Sequence, residues 1–563
     1  MLKRSVSIGL ICALALSMAV VAGAQQAPVP VVRMGNAIEL GDDLWVDFGG
    51  GAELRFQFSH NPDFESDIQD RPPARATHAT TPHGGTSDIW FLQAQLSADA
   101  QYKKHLRFQV MMRATKTIDG NRIDDGFSDI GDSPANRVFD TASDRNLDCG
   151  TEIGQIDPDT GEVVRDDDGE VETVAVSDSG CTQRNTWNLE RMWIDYQLQG
   201  TPLRFRLGAD FWTHDEAALV ADDDVRAAVY ATFGDLELHA AVVLNSEAQR
   251  IGLSNDNDRI YYNFRVRYDM KPFRFALAAT YHRDRFDQDQ ETDTILLMPS
   301  AAGSLGIISG MVQPMFNFGS VDANDGIDYD VKSFGFIGIV RANLAGGKIR
   351  PFLGFVYGTG DDDPNDDDLE GFFVMPFNEI APYTASSHFS VYNRTQSGGA
   401  RDVQTPALAN IGSGFEFLHT VANPFHDRPG NDLHAGVDST YSNPGTIHIA
   451  PGVTVDLTKG HRVSFMYIYR ALTDSELIEQ ELLDREEVAT DVDKSMTHEL
   501  AVDYQWTPSP YFDLRLFGSA MFLGNGGKDI AEAQDCDEAT DGLQPCSGED
   551  VALHGEIRVR ARF

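Results

Sequence analysis

Arginine recurs at every second position in several stretches of this chain, with an apolar residue between. Arg204-Phe205-Arg206, Arg265-Val266-Arg267 and Arg558-Val559-Arg560 carry the pattern most cleanly, and Arg107, Arg113 and Arg191 stand in alternating stretches of their own. A guanidinium keeps its charge in any setting and offers a planar fork that grips carboxylate or phosphate with two bonds. Two apart on extended backbone, such side chains share one face, and the apolar residues between them share the other. The chemistry expected is attraction and recognition of anions, with no bond made or broken in them. Acids fall on the same parity, among them Asp47, Glu53, Asp195, Glu237, Asp269, Asp456, Glu499, Asp503 and Asp513, but the arginines outnumber them. For any single arginine the plainer reading is a brace paired with such an acid. The excess is what favours a ligand-facing role.

Other chemistry is sparsely marked. His498 beside Glu499, and His239 near Glu237, set an imidazole close to a carboxylate without a convincing nucleophile, and no Gly-x-Ser-x-Gly elbow occurs. No enzyme is expected. Asp361-Asp362-Asp363 and Asp366-Asp367-Asp368 cluster the hard oxygens that calcium prefers, yet they lack the spaced pattern of a dedicated calcium loop. Structural calcium there is the one cofactor expectation, set against an ordinary solvated acidic surface. Cys149 and Cys181 lie in one long polar segment, and Cys536 and Cys546 in another. The economical reading in an oxidising compartment is two local disulfides that staple loops.

The elements that must position these residues are short alternating strands. They are expected near 44–58, 89–101, 105–115, 187–199, 203–213, 224–233, 236–245, 259–270, 273–284, 331–343, 348–358, 446–457, 462–472, 497–507, 511–522 and 551–563. Very short turns, such as Gly234-Asp235 and Lys459-Gly460, join strands in pairs, and longer polar loops join the pairs. This predicts an all-β fold: a transmembrane antiparallel β-barrel of about 16 strands with long external loops. It becomes about 18 if the stretch 359–445 hides a further hairpin around Ser390-Val391-Tyr392 and Phe415-Glu416-Phe417. Leu203, Phe205, Leu207, Ala209 and Phe211 share the lipid-facing parity, as do Tyr262, Phe264, Val266, Tyr268 and Met270. Trp45, Tyr102, Tyr268, Phe273, Trp506, Tyr511, Phe512 and Phe563 near strand ends are expected to form an interfacial girdle.

Lys3 and Arg4, the apolar stretch Ile8 to Val21, and Ala22-Gly23-Ala24 read as a secretory signal over 1–24. A lead-in over 25–42 and the barrel over 43–563 complete the expected organisation. No stretch approaches the roughly 20 apolar residues of a membrane helix. The net charge of −42 argues against nucleic acid as a partner.

The closing run Gly555-Glu556-Ile557-Arg558-Val559-Arg560-Ala561-Arg562-Phe563 resembles the C-terminal signal that outer-membrane barrels present to their assembly machinery. Gly50-Gly51-Ala52-Glu53-Leu54-Arg55-Phe56-Gln57-Phe58, followed by Asn61-Pro62-Asp63-Phe64, resembles the opening hairpin of the bacterial alginate-export porins. Arg204-Phe205-Arg206-Leu207-Gly208, then Val225-Arg226, is similar to an arginine-bearing segment of that group and of phosphate-type specific porins. The resemblance implies an arginine-lined pore that conducts a polyuronate or small anions. The long acidic loops depart from the group's pattern and leave the solute open. The expected function is thus a passive outer-membrane porin for anionic solutes. A sheath around a periplasmic redox partner and a surface adhesin are the alternatives. Lipid, lipopolysaccharide and the barrel assembly machinery are the expected partners, and association into a homotrimer stays open.

Overall fold

Period-two alternation suits a wall between two unlike media, and most of the described chain is strand. The computed structural model describes residues 38–40, 43–60, 86–103, 105–117, 152–154, 173–175, 188–209, 212–214, 221–222, 225–247, 258–285, 290–323, 328–363, 366–372, 445–480, 491–529 and 551–562. The wall is built by β1 (Leu44–His60), β2 (Thr86–Tyr102), β3 (Leu106–Thr117), β4 (Asn188–Gln197), β5 (Leu203–Ala209) and β6 (Val225–Phe233). It continues through β7 (Leu236–Glu247), β8 (Asp258–Met270), β9 (Phe273–Asp284), β10 (Gln290–Leu305), β11 (Ile308–Ala323) and β12 (Asp328–Ala342). The remainder are β13 (Ile349–Gly358), β14 (Thr446–Thr458), β15 (His461–Ala471), β16 (Ser495–Ser509), β17 (Phe512–Leu523) and β18 (Val551–Arg562). Each pairs antiparallel with the next, and β18 returns to β1 along the register from Gly51↔Arg562 to His60↔Leu553. The sheet has 20 strands; two are the short segments Ile38–Leu40 and Asp368–Leu369 that dock on the wall, and the other 18 close the barrel.

The architecture agrees with the sequence expectation, and the strand count corrects it. The added hairpin is β10 with β11; the one weighed around Ser390-Val391-Tyr392 and Phe415-Glu416-Phe417 lies outside the described residues. Its strands show no clean alternation, because Ile295-Leu296-Leu297-Met298 is apolar on both faces. Pro299 and Pro314 also interrupt it, and the β10–β11 ladder has a gap between Leu297↔Phe316 and Ala301↔Val312 where they sit. A second correction is Trp45, which is buried on the inner face with Asp47 and takes no part in the girdle. The two share a parity, so a lipid-facing Trp45 would have put Asp47 in lipid. The signal segment, nearly all of the lead-in, the four cysteines and Phe563 lie outside the described residues.

Leu54, Leu96, Leu207, Leu277, Val312, Leu353, Phe465, Leu500 and Ile557 all face outward and are exposed. Aromatics flank this apolar band. At the short-turn end lie Tyr102, Tyr268, Phe273 and Tyr511, with Trp506 edge-on to Phe512 at 5.9 Å. Toward the other end lie Tyr262 stacked on Tyr281, and Tyr467 and Tyr469 against His498. A closed sheet satisfies its backbone internally and presents no edge to lipid. With an apolar, aromatic-rimmed exterior, the chain is a multi-pass outer-membrane β-barrel. Among the described residues no helix is long and apolar enough to cross a membrane.

Candidate functional site

The inner face divides into two unlike halves. From β16 through β18 and on from β1 to β8, inward positions carry arginine–carboxylate pairs, and Arg350 and Arg462 add one at Asp456 near the short-turn end of β13 to β15. From β9 to β15 the middle of the wall is apolar.

The charged half follows from sequence spacing. Short turns bring residues a few places on either side of them into cross-strand register, so an inward acid meets an inward arginine on the next strand. Arg107 donates from Nε to Asp99 at 2.9 and 3.0 Å and packs over Trp193. Arg206 reaches the buried Asp195 at 2.8 Å, and Arg204 lies 3.9 Å from the same carboxylate. Glu237 accepts from Arg265 at 2.7 Å and from Arg267 at 3.0 Å. Arg267 also approaches Asp269 at 3.4 Å, which Arg274 holds at 2.7 Å. Arg560 pairs with Glu53 at 2.6 Å, Arg515 with Asp503 at 2.7 Å, and Arg562 with Asp513 at 2.8 Å. Arg350 and Arg462 share Asp456 at 2.9 and 2.7 Å. The expected arginines therefore do not stand as a bare track; most are braced by acids on neighbouring strands. Arg191 and Arg558 face the lumen, and Arg558 stands in register between Arg55 and Arg515. Arg113 lies on β3 opposite Gln95, and its side chain is outside the described residues.

The densest basic cluster forms where the chain turns inward after β5. The expected strand over 203–213 ends at Ala209, because Gly208 has φ +123° and a Cβ there would lie 2.1 Å from the Met192 carbonyl oxygen. Beyond it, Trp212–Thr213 pairs with Ala221–Asp222, and His214 lands on the inner wall at β9, four strands away. Its Nε2 lies 3.0 Å from the Ala279 carbonyl oxygen, and Arg265 donates to the His214 carbonyl at 3.2 Å. His214 and His239 stand 5.8 Å apart. His239 stacks on Tyr230 at 4.5 Å, and Arg204 covers that ring at 4.2 Å. Arg226 is buried on the same part of the wall. Here Arg204, Arg206, Arg226, Arg265 and Arg267 gather with two histidines about Asp195, Glu237 and Asp269. Neither ring nitrogen of His239 has a hydrogen-bond partner among the described residues.

The apolar half was not anticipated. Leu296, Met298, Met315, Ile337 and Val356 point inward and are fully buried, with Ala278, Ala450, Met466 and Ile468 continuing the surface. The chain after β13 folds back onto it. Phe372 packs against Gly335, where a Cβ would lie 2.5 Å from the ring, and its amide donates to the Thr359 carbonyl at 2.8 Å. The signal was present in the sequence as apolar residues on the lumen parity, but it cancels the alternation that marks a strand.

The other candidate groups separate. His498 faces outward and bonds Tyr467 Oη at 2.6 Å, whereas Glu499 faces inward and pairs with Arg470 at 2.5 Å. Glu237 is taken up by two arginines, and His239 by Tyr230. In the acidic loop Asp361 is buried, Asp362, Asp363 and Asp367 are exposed, Asp366 accepts from the Asp368 amide, and Asp368 pairs with Lys332. Among the described residues no three acidic, histidine or cysteine side chains gather as a metal site.

No family profile matches the chain, and no curated protein matches it. Several solved barrels do resemble it. A BenF-like porin from Pseudomonas fluorescens Pf-5 aligns at TM-score 0.45 and 12% identity, over 92% of this chain and 98% of that one. Pseudomonas aeruginosa OccK2 (OpdF) in complex with glucuronate aligns at 0.43 and 8%, over 94% and 98%. Pseudomonas aeruginosa OpdK with vanillate aligns at 0.39 and 11%, over 92% and 98%. Scores and identities this low carry no substrate across.

Proposed function

We propose that this barrel is a passive channel for small organic anions, with an acid group held on the basic half of the lumen and an apolar body on the other. The observation that carries the reading is the gathering of Arg204, Arg206, Arg226, Arg265 and Arg267 around fewer acids, a few strands along the wall from inward Leu296, Met298, Met315 and Ile337. Fixed guanidinium forks inside a low-dielectric wall concentrate anions without reacting with them. Arg107, Arg113, Arg191, Arg558 and Arg560 would extend the attraction along the wall. A polymeric uronate of the alginate type belongs to the same charge class but lacks a partner for the apolar half. The sheath reading asks for a wide lumen, and a packed inner wall with inward-folded segments argues against it.

The test is reversal potential across a planar bilayer under a salt gradient. A clear anion preference is expected, with competition by aromatic carboxylates or glucuronate stronger than by oligo-alginate of equal charge. Arg204→Glu with Arg206→Glu, Arg265→Glu and Arg267→Glu should weaken or reverse it. Unchanged selectivity in that variant would sink the assignment.

A further inference from the structure

Where the charged half of the lumen gives way to the apolar half, the wall carries a small polar recess. Inward positions run in register there across β7 to β10. One row is His239, Arg265, Ala278 and Met298; the next is Ala241, Asn263, Thr280 and Leu296. Ala241 and Ala278 end at Cβ and keep the floor low. The polar members have little to bond. Both amide atoms of Asn263, the Thr280 hydroxyl, both ring nitrogens of His239 and Arg265 Nε have no hydrogen-bond partner among the described residues. Yet Asn263 is 3% exposed and Thr280 0%. Buried polar side chains in native proteins nearly always find partners, so several left together in one place point to a polar group that visits.

The inward segment roofs this recess. His214 Nε2 meets the carbonyl of Ala279, whose register partner is Phe264, so the imidazole lies between the two rows. The His214 carbonyl accepts from Arg265 at 3.2 Å. A carboxylate bonds a guanidinium roughly twice as strongly as a neutral carbonyl does. An arriving acid therefore takes Arg265 from His214 and uncovers the recess.

On the reading of the lumen as an anion channel, on which this rests, we propose that Asn263, Thr280 and His239 recognise a hydroxyl beside the solute's acid group. The channel then selects α-hydroxy acids with an apolar body. The carboxylate lies on Arg265, the hydroxyl between Asn263 and Thr280, and the body on Leu296 and Met298. Arg265 and Asn263 stand two residues apart on one face of β8, roughly 7 Å. A hydroxyl on the carbon next to the carboxylate spans that gap with one hydrogen bond at each end. An acid without the hydroxyl covers the same buried groups and leaves them bare, which costs binding.

The experiment places the full chain in a planar bilayer and compares two acids as blockers of the chloride current at neutral pH. Mandelate and phenylacetate share a charge and a ring and differ by one hydroxyl. Mandelate should half-block at about tenfold lower concentration, the worth of one buried hydrogen bond. Asn263→Ala with Thr280→Val should bring the two acids to parity while the preference for chloride over potassium persists. His239→Phe, which keeps a ring on Tyr230, should narrow the gap and carries the test if the double variant fails to insert. Equal block by the two acids in an unmodified, anion-selective barrel would overturn this proposal alone, as would a mandelate preference that survives these variants. A barrel with no anion preference, blocked by neither acid, would overturn the channel reading and this proposal with it.

Discussion

Glu237 is one of the lumenal acids on which two guanidinium groups converge, here Arg265 and Arg267. Glu237→Gln keeps the shape and removes the charge. The anion-to-cation permeability ratio should rise severalfold, measured as reversal potential; a fall would show that the acid helps to admit solute. Arg470 with Glu499 is a different case, a pair almost wholly removed from solvent. Glu499→Ala strands the cation and should cost about 3–5 kcal/mol of stability, whereas Arg470→Met with Glu499→Leu should come close to neutral. Urea titration of the folded barrel separates the two outcomes. The arginines and most of their acid partners were legible from parity alone. His214 was not, because a histidine just past a stretch expected to be strand carries no sign that the backbone turns into the lumen after Gly208.

At the scale of elements, the inward segment is fixed at His214 by the Ala279 carbonyl and by Arg265. His214→Ala removes its bond to the Ala279 carbonyl and should raise single-channel conductance by roughly a factor of two, by freeing space in the lumen. No change would place the narrowest passage elsewhere. The folded-back segment that carries Glu370 and Phe372 has a pH dependence. Glu370 has a raised pKa in the folded state, so the folded segment binds more protons than the unfolded one between the ordinary and the raised value. Its stability therefore falls as pH rises through that window and is fully regained below it. Limited proteolysis of the segment should slow as pH drops from neutrality, and Glu370→Gln should abolish the trend. Strands with a lipid face and a charged face were readable in the sequence. The β10–β11 hairpin was not, because Leu296, Met298 and Met315 make its inner face as oily as its outer one.

Across the whole molecule, the sequence carries a net charge of −42 around a lumen where most of the described arginines sit beside acids. The antiparallel barrel, its short-turn end and its lipid band follow from alternation repeated along the chain. The two-sided lumen does not, since it depends on which strands lie opposite each other once eighteen of them have closed. That closure has a further consequence. Glu53 and Arg560 meet across 507 residues of sequence, and β1 finds β18 only when everything between has been laid down. Contacts so distant in the chain are slow to form by random search, and until they form both margins of the sheet carry unpaired amides and carbonyls. Insertion of this chain is then a problem of order in time, in which the first strand waits for the last. Removing 551–562 should leave a species that inserts yet stays open, binds other strands at its margins, and loses its folded band on unheated gels. The twelve residues of β18 would then act less as one stave among many than as the latch that decides when the vessel exists.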